Sequence, residues 1–199
     1  MALAESGVSF GGEAHLDSVG HGAVGALAEV AVVEALEVNV GSDAEVQQVL
    51  CTAKQLRKYR NSAIYRLAKR EHSYHELNAK LKERFPDFDH GLIEGVLARL
   101  VEDGQLSDQR FTESYIRMRW RKSFGPQRIA RELRERGVCA ALITDGLTCD
   151  EYDWYASAQE ARVKKFGDGE SIDFKVRMKQ QSFLHYRGFD HEQIHHAFD

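Results

Sequence analysis

The sequence predicts an all-α fold: an elongated tandem array of three three-helix repeats, preceded by a poorly ordered N-terminal extension. Three observations predict it. A leucine stands four residues before a helix stop in three places, Leu81–Phe85 (LKERF), Leu133–Gly137 (LRERG) and Leu184–Gly188 (LHYRG), spaced 52 and 51 residues apart. After each stop apolar residues return at helical spacing, as Ile93/Val96/Leu97, Leu142/Ile143/Leu147 and Ile194/Ala197/Phe198. Only two prolines, Pro86 and Pro126, interrupt a 199-residue chain rich in helix formers. A period near 50 residues, with helix signals on both sides of each stop, marks stacked repeats that cannot bury enough surface singly. Arrays of this kind build gripping surfaces rather than catalytic pockets.

Taken in order, residues 1–50 form an acidic extension expected to be disordered. The first 22 residues are Gly- and Ser-rich, and 23–40 fit either a weak helix or a strand. Residues 51–106 are the first repeat. Its opening helix begins near Thr52, with Ile64, Leu67 and Ala68 as its apolar face. Ser73-Tyr-His-Glu76 reads as a capping box for the second helix, carrying Leu77 and Leu81, and Gly104 stops the third. Residues 107–149 are the second repeat, N-capped at Ser107-Asp108, with Phe111, Tyr115 and Met118 as a core stripe. Gly125-Pro126 breaks that helix, and Pro126 suits the first turn of the next, where Ile129 and Leu133 are buried. Residues 150–199 are the third repeat. Ala156, Ala161 and Val163 form a thin apolar face, Phe174, Met178, Phe183 and Leu184 line the second helix, and Asp190-His-Glu-Gln193 caps the last.

The net charge of −4 conceals an asymmetry. Residues 1–50 hold eight acids and no Lys or Arg, residues 51–150 hold 20 bases and 14 acids, and residues 151–199 hold seven bases and nine acids. The middle is therefore at +6 and the front at −8, a complementarity that raises an autoinhibitory contact between them. Three cysteines without a CxxC pair give no disulfide framework and point to a reducing compartment. The apolar run 23–33 is interrupted by Glu29 and has no positive flank, so neither a signal peptide nor a membrane span is expected. The expected location is cytoplasmic, and the expected state a monomer.

Eight basic residues crowd between Tyr115 and Arg136, opposed only by Glu132 and Glu135. At 100° per residue Arg131 lies opposite the Ile129/Leu133 stripe, with Arg128 and Arg134 flanking it. Arg117 and Arg121 are one turn apart on the preceding helix, next to Lys122. Arg117, Arg121, Lys122, Arg128, Arg131 and Arg134 are the candidate residues for binding a polyanion or an acidic protein surface. Ile116 and Trp120 form a second apolar strip, and Trp120 is expected to pack between repeats. No catalytic residue, cofactor or metal is expected. His191 and His195 have a zinc-compatible spacing but no completing ligand, Cys139 reads as a small packed side chain, and no phosphate loop or nucleophile elbow occurs.

Three motifs together carry a family resemblance. Arg70-Glu-His-Ser73 with Glu76-Leu77 and Lys80-Leu81 resembles the first-repeat signature of RecX proteins, regulators of the RecA recombinase. Asp108-Gln-Arg-Phe111-Thr-Glu-Ser-Tyr115, Gly125-Pro126 and Glu132-Leu-Arg-Glu-Arg-Gly137 resemble the second-repeat signature. Phe183-Leu-His-Tyr-Arg-Gly-Phe189 resembles the closing motif. The likeness runs from about Ile64 to Phe198. It implies a regulator that binds the RecA–single-stranded DNA filament and limits recombinase, ATPase and co-protease activity, hence recombinational repair and the SOS response. Single-stranded DNA is a second candidate partner. A general helical nucleic-acid-binding protein is the alternative. Residues 1–50 have no counterpart in the pattern, and Tyr74 stands where the family commonly has a basic residue.

Overall fold

The computed structural model describes residues 43–169 and 173–199, and the following holds for these. They form nine α-helices and no strand. We number them α1 (Asp43–Leu67), α2 (Tyr74–Arg84), α3 (His90–Glu102), α4 (Asp108–Trp120), α5 (Pro126–Arg134), α6 (Ala140–Leu147), α7 (Trp154–Phe166), α8 (Phe174–Arg187) and α9 (His191–His196). Three hydrophobic clusters follow the chain. The first joins Tyr59 and Ala63 of α1 to Leu77, Leu81, Ile93, Leu97 and Leu100. The second is built on α4–α6 and takes in Tyr152 and Trp154. The third unites Ala158, Ala161, Leu184, Phe189, Ile194 and Ala197 of α7–α9.

The repeated leucines Leu81, Leu133 and Leu184 are all fully buried. Two of the three stops share one geometry. The amide of Gly137 donates to the Arg134 carbonyl and that of Val138 to the Leu133 carbonyl; Gly188 and Phe189 bond back to His185 and Leu184 in the same way. This is a Schellman ending, in which the patterned leucine is the residue whose carbonyl receives the returning chain. It requires a left-handed residue, met by Gly137 (φ 75°) and Gly188 (φ 95°). The buried Val138 and Phe189 supply the apolar contact that accompanies the motif. Phe85 ends α2 differently, at φ −132°, and stacks on Tyr59 and Phe88 at ring separations of 4.6 and 5.3 Å.

Several expectations need correction. Residues 43–50 do not belong to a disordered extension. Helix α1 instead begins at Asp43, and residues 1–42 lie outside the described residues. The buried face of α1 is Tyr59/Ala63, whereas Ile64 is exposed and Leu67 half-buried. On α4 the buried stripe is Phe111/Thr112/Tyr115/Ile116, and Met118 is exposed. Ile116 is drawn in because α6 offers Gly146, where a Cβ would approach the Ile116 Cδ1 to 2.6 Å. Phe174 and Met178 are exposed, since they sit roughly 80–120° round α8 from the buried Leu184. Cys139 is exposed at the start of α6 rather than packed.

The caps match the sequence in part. Ser73 accepts from the Glu76 amide and Asp190 from the Gln193 amide, but a reciprocal capping box closes only at Asp190/Gln193. The Glu76 carboxylate binds Arg70 at 2.6 Å, Lys80 at 3.3 Å and His72 at 3.1 Å.

Candidate functional site

The eight bases between Tyr115 and Arg136 divide into two groups. Arg119, Arg128 and Arg136 are turned inward. Glu132, on the flank of α5 next to the Ile129/Leu133 stripe, is buried and gathers them. Its carboxylate accepts the Tyr115 hydroxyl at 2.8 Å and pairs with Arg119 at 2.7 Å and Arg128 at 3.1 Å. Arg136 lies over the Tyr115 ring at 4.7 Å. Burial works against ionisation of Glu132, but the Tyr115 and Arg128 hydrogen bonds and the two guanidinium charges outweigh it, and its pKa falls below the ordinary value. Burial pushes the Tyr115 phenol up.

The other five bases face solvent. Arg131 and Arg134 stand on the outer face of α5, with Glu135 only grazing Arg131 at 4.0 Å. Arg117 is 3.7 Å from Glu151, and Arg121 and Lys122 follow α4. Of the six candidate residues, Arg117, Arg121, Lys122, Arg131 and Arg134 are thus exposed. Arg128 is a junction residue, giving a hydrogen bond to the Tyr186 carbonyl at 3.3 Å. Trp120 packs as expected, its indole donating to Ser157 Oγ at 2.7 Å and its ring edge-on to Tyr152.

The two junctions between units repeat one contact. At the first, the Ser73 hydroxyl that caps α2 donates to the Arg136 carbonyl at 2.7 Å. A Cβ on Gly137 would meet the His75 Cβ at 2.5 Å. At the second, the Gly125 amide that opens α5 donates to the Arg187 carbonyl at 2.9 Å, and Gln127 donates to Gly188. A Cβ on Gly188 would collide with Arg128. Each glycine stop therefore seats on the start of the preceding unit's second helix. Tyr74 belongs to the first junction, donating its amide to Asp108 at 2.7 Å, beside an Arg110–Glu71 pair at 3.0 Å.

The second junction also assembles cations distant in sequence. Lys122 and Ser123 after α4, Lys164 and Lys165 of α7, and Phe183 and Arg187 of α8 line a cavity of about 230 Å³. Sequence reasoning missed Lys164, Lys165 and Arg187 because they lie outside the dense stretch, in a third repeat whose net charge is negative. The last-turn position of all three was the available signal.

The described residues, all-helical and stacked as three-helix units with most of their bases on the surface, define a binding protein of the helical-repeat class. Residues 107–147 match the second three-helix domain of RecX and residues 151–198 the third. The chain is 41% identical over 138 residues to the regulatory protein RecX of Halorhodospira halophila, covering 69% of this chain and 84% of that one. It is 43% identical over 136 residues to the regulatory protein RecX of Pseudomonas entomophila, covering 68% and 86%. A crystal structure of a regulatory protein RecX superposes with a TM-score of 0.68 at 20% identity, covering 83% of each chain, and RecX from Lactobacillus salivarius with 0.60, covering 73% and 95%. The chain belongs to the RecX family. That family consists of regulatory proteins and not enzymes, and membership implies regulation of RecA. No helix among the described residues is long and apolar enough to cross a membrane.

Proposed function

We propose that this protein binds the RecA–single-stranded DNA filament in the cytoplasm and inhibits its recombinase, ATPase and co-protease activities, thereby restraining recombinational repair and the SOS response. Residues 51–106, 107–149 and 150–199 act as three units, the middle one gripping the filament. Arg117, Arg121, Lys122, Arg131 and Arg134 are its contact residues, with Arg128 holding the third unit in register. The observation that carries this reading is the solvent-facing Arg131/Arg134 pair on α5, on a helix whose opposite side is wholly committed to core. Cations so placed are costly to neither fold nor solubility and are available to an acidic partner. Titrating the protein into RecA, ATP and single-stranded DNA tests the proposal. A fall in ATP turnover at stoichiometric amounts is expected, and unchanged turnover with unchanged filament length would refute it.

A further inference from the structure

We infer that the cavity framed by Lys122, Lys164, Lys165 and Arg187, at the junction of the second and third units, holds a backbone phosphate of single-stranded DNA. The inference does not depend on RecA recognition. Four cations converge there from three helices, and none pairs with a carboxylate among the described residues. Each sits at or just past a helix C-terminus, where the macrodipole favours a cation, so the fold tolerates the cluster unpaired. The space between them calls for an anion. At about 230 Å³ it falls below the ~300–1,000 Å³ of drug-sized sites and suits a phosphate with its sugar.

Arg187 is preorganised. It donates to the Lys122 carbonyl at 2.8 Å and lies between the rings of Phe124 and Phe183 at 4.7 and 5.1 Å. Ser123 holds a left-handed φ of 57°, rare outside glycine, at the turn that presents that carbonyl. Next to this cluster, Arg128 shares the Phe124 ring at 4.6 Å and also lies over the Tyr186 ring at 5.1 Å, and Tyr186 is 73% exposed. An aromatic ring backed by a guanidinium and open to solvent is a platform for a base. Exposed Lys175 and Lys179 fall within about 20° of Tyr186 on α8 and extend the cationic track. A ring beside a phosphate-sized pocket favours a nucleic-acid strand over an acidic peptide.

The test uses the full chain without RecA and a fluorescein-labelled oligo-dT read by anisotropy. Salt-dependent binding is expected. Lys164→Glu with Lys165→Glu should weaken it at least tenfold and flatten the log–log salt slope by about 0.7, the single-strand value for one phosphate contact. Wild-type affinity in that variant, or no wild-type binding at low salt, overturns the inference. So does displacement by poly-glutamate as effective as by unlabelled dT at equal charge. Tyr186→Leu should weaken dT severalfold and leave an abasic strand unaffected; equal loss on both would remove the platform. If the Glu pair loses helicity by circular dichroism, Lys164→Gln with Lys165→Gln carries the same comparison.

Discussion

Replacing Glu132 should reveal how much of the second unit's stability rests on one carboxylate. Glu132→Ala strands the Arg119 and Arg128 guanidiniums and the Tyr115 hydroxyl at once. Removing one partner of a fully buried pair costs about 3–5 kcal/mol. The Glu132 side chain is only 10% exposed, but both arginines are 21% exposed, so water recovers part of that cost. We expect a loss of about 2–3 kcal/mol after that discount. At ~2–4 °C per kcal/mol for a chain of this size, thermal unfolding by circular dichroism should shift down by about 4–12 °C.

Glu132→Gln keeps an acceptor but no charge, and should fall between the wild type and Glu132→Ala. A double-mutant cycle with Tyr115→Phe should return a coupling of about 1 kcal/mol, the usual net worth of a hydrogen bond. The pH dependence has a definite sign. A carboxyl whose folded pKa is depressed stabilises above its unfolded pKa, and this contribution is lost as pH falls through the folded value. The Glu132→Ala penalty should therefore be full at pH 7 and shrink in acid. An unfolding midpoint within 1 °C of wild type at pH 7, or a penalty that grows on acidification, would refute the network.

Arg131→Glu with Arg134→Glu should leave the melting curve within about 0.5 kcal/mol of wild type while weakening RecA inhibition, because both side chains project from the outer face of α5. Leu133→Ala should lower stability by about 2–5 kcal/mol in denaturant titration, since the leucine is fully buried. Gly188→Ala should destabilise more than Gly104→Ala. Both have positive φ, yet only at Gly188 would a Cβ strike another unit. Burial holds His72 neutral, its pKa below 6.5, so stability should begin to fall as pH drops below 6.5, where the unfolded chain takes up the proton first. Burial opposes ionisation of Glu76 too, but Arg70, His72 and Lys80 hold it at about 2, and its contribution should vanish between pH 4.5 and about 2.

The scaffold was legible because its signals are local. A buried leucine four residues before a glycine is the Schellman ending itself, and the helix, its stop and its core side can all be read from one turn. The site was legible only where charge met phase: Arg131 and Arg134 project as helical spacing requires. Arg128 fails that rule because Glu132 is its own i+4 neighbour and is buried by α4, a contact no periodicity contains. Lys164, Lys165 and Arg187 fail it because three helix ends meet only when two units stack. The same limit explains the stops. In isolation Phe85 looks like a degenerate copy of Gly137 and Gly188. Both glycines let another unit approach closely, the side chains of Ser73 and His75 at the Gly137 stop and the backbone of Gly125 and Arg128 at the Gly188 stop. Phe85 turns instead into a ring cluster with Tyr59 and Phe88, which a glycine could not complete. The copies thus differ where their neighbours differ. Grafting a glycine at Phe85 should destabilise rather than relieve strain, by less than the ~3–5 kcal/mol of a fully buried aromatic because the ring is half-buried, and a Phe85→Gly variant that melts at or above the wild-type temperature would show that the stop, and not the ring, is what the position serves.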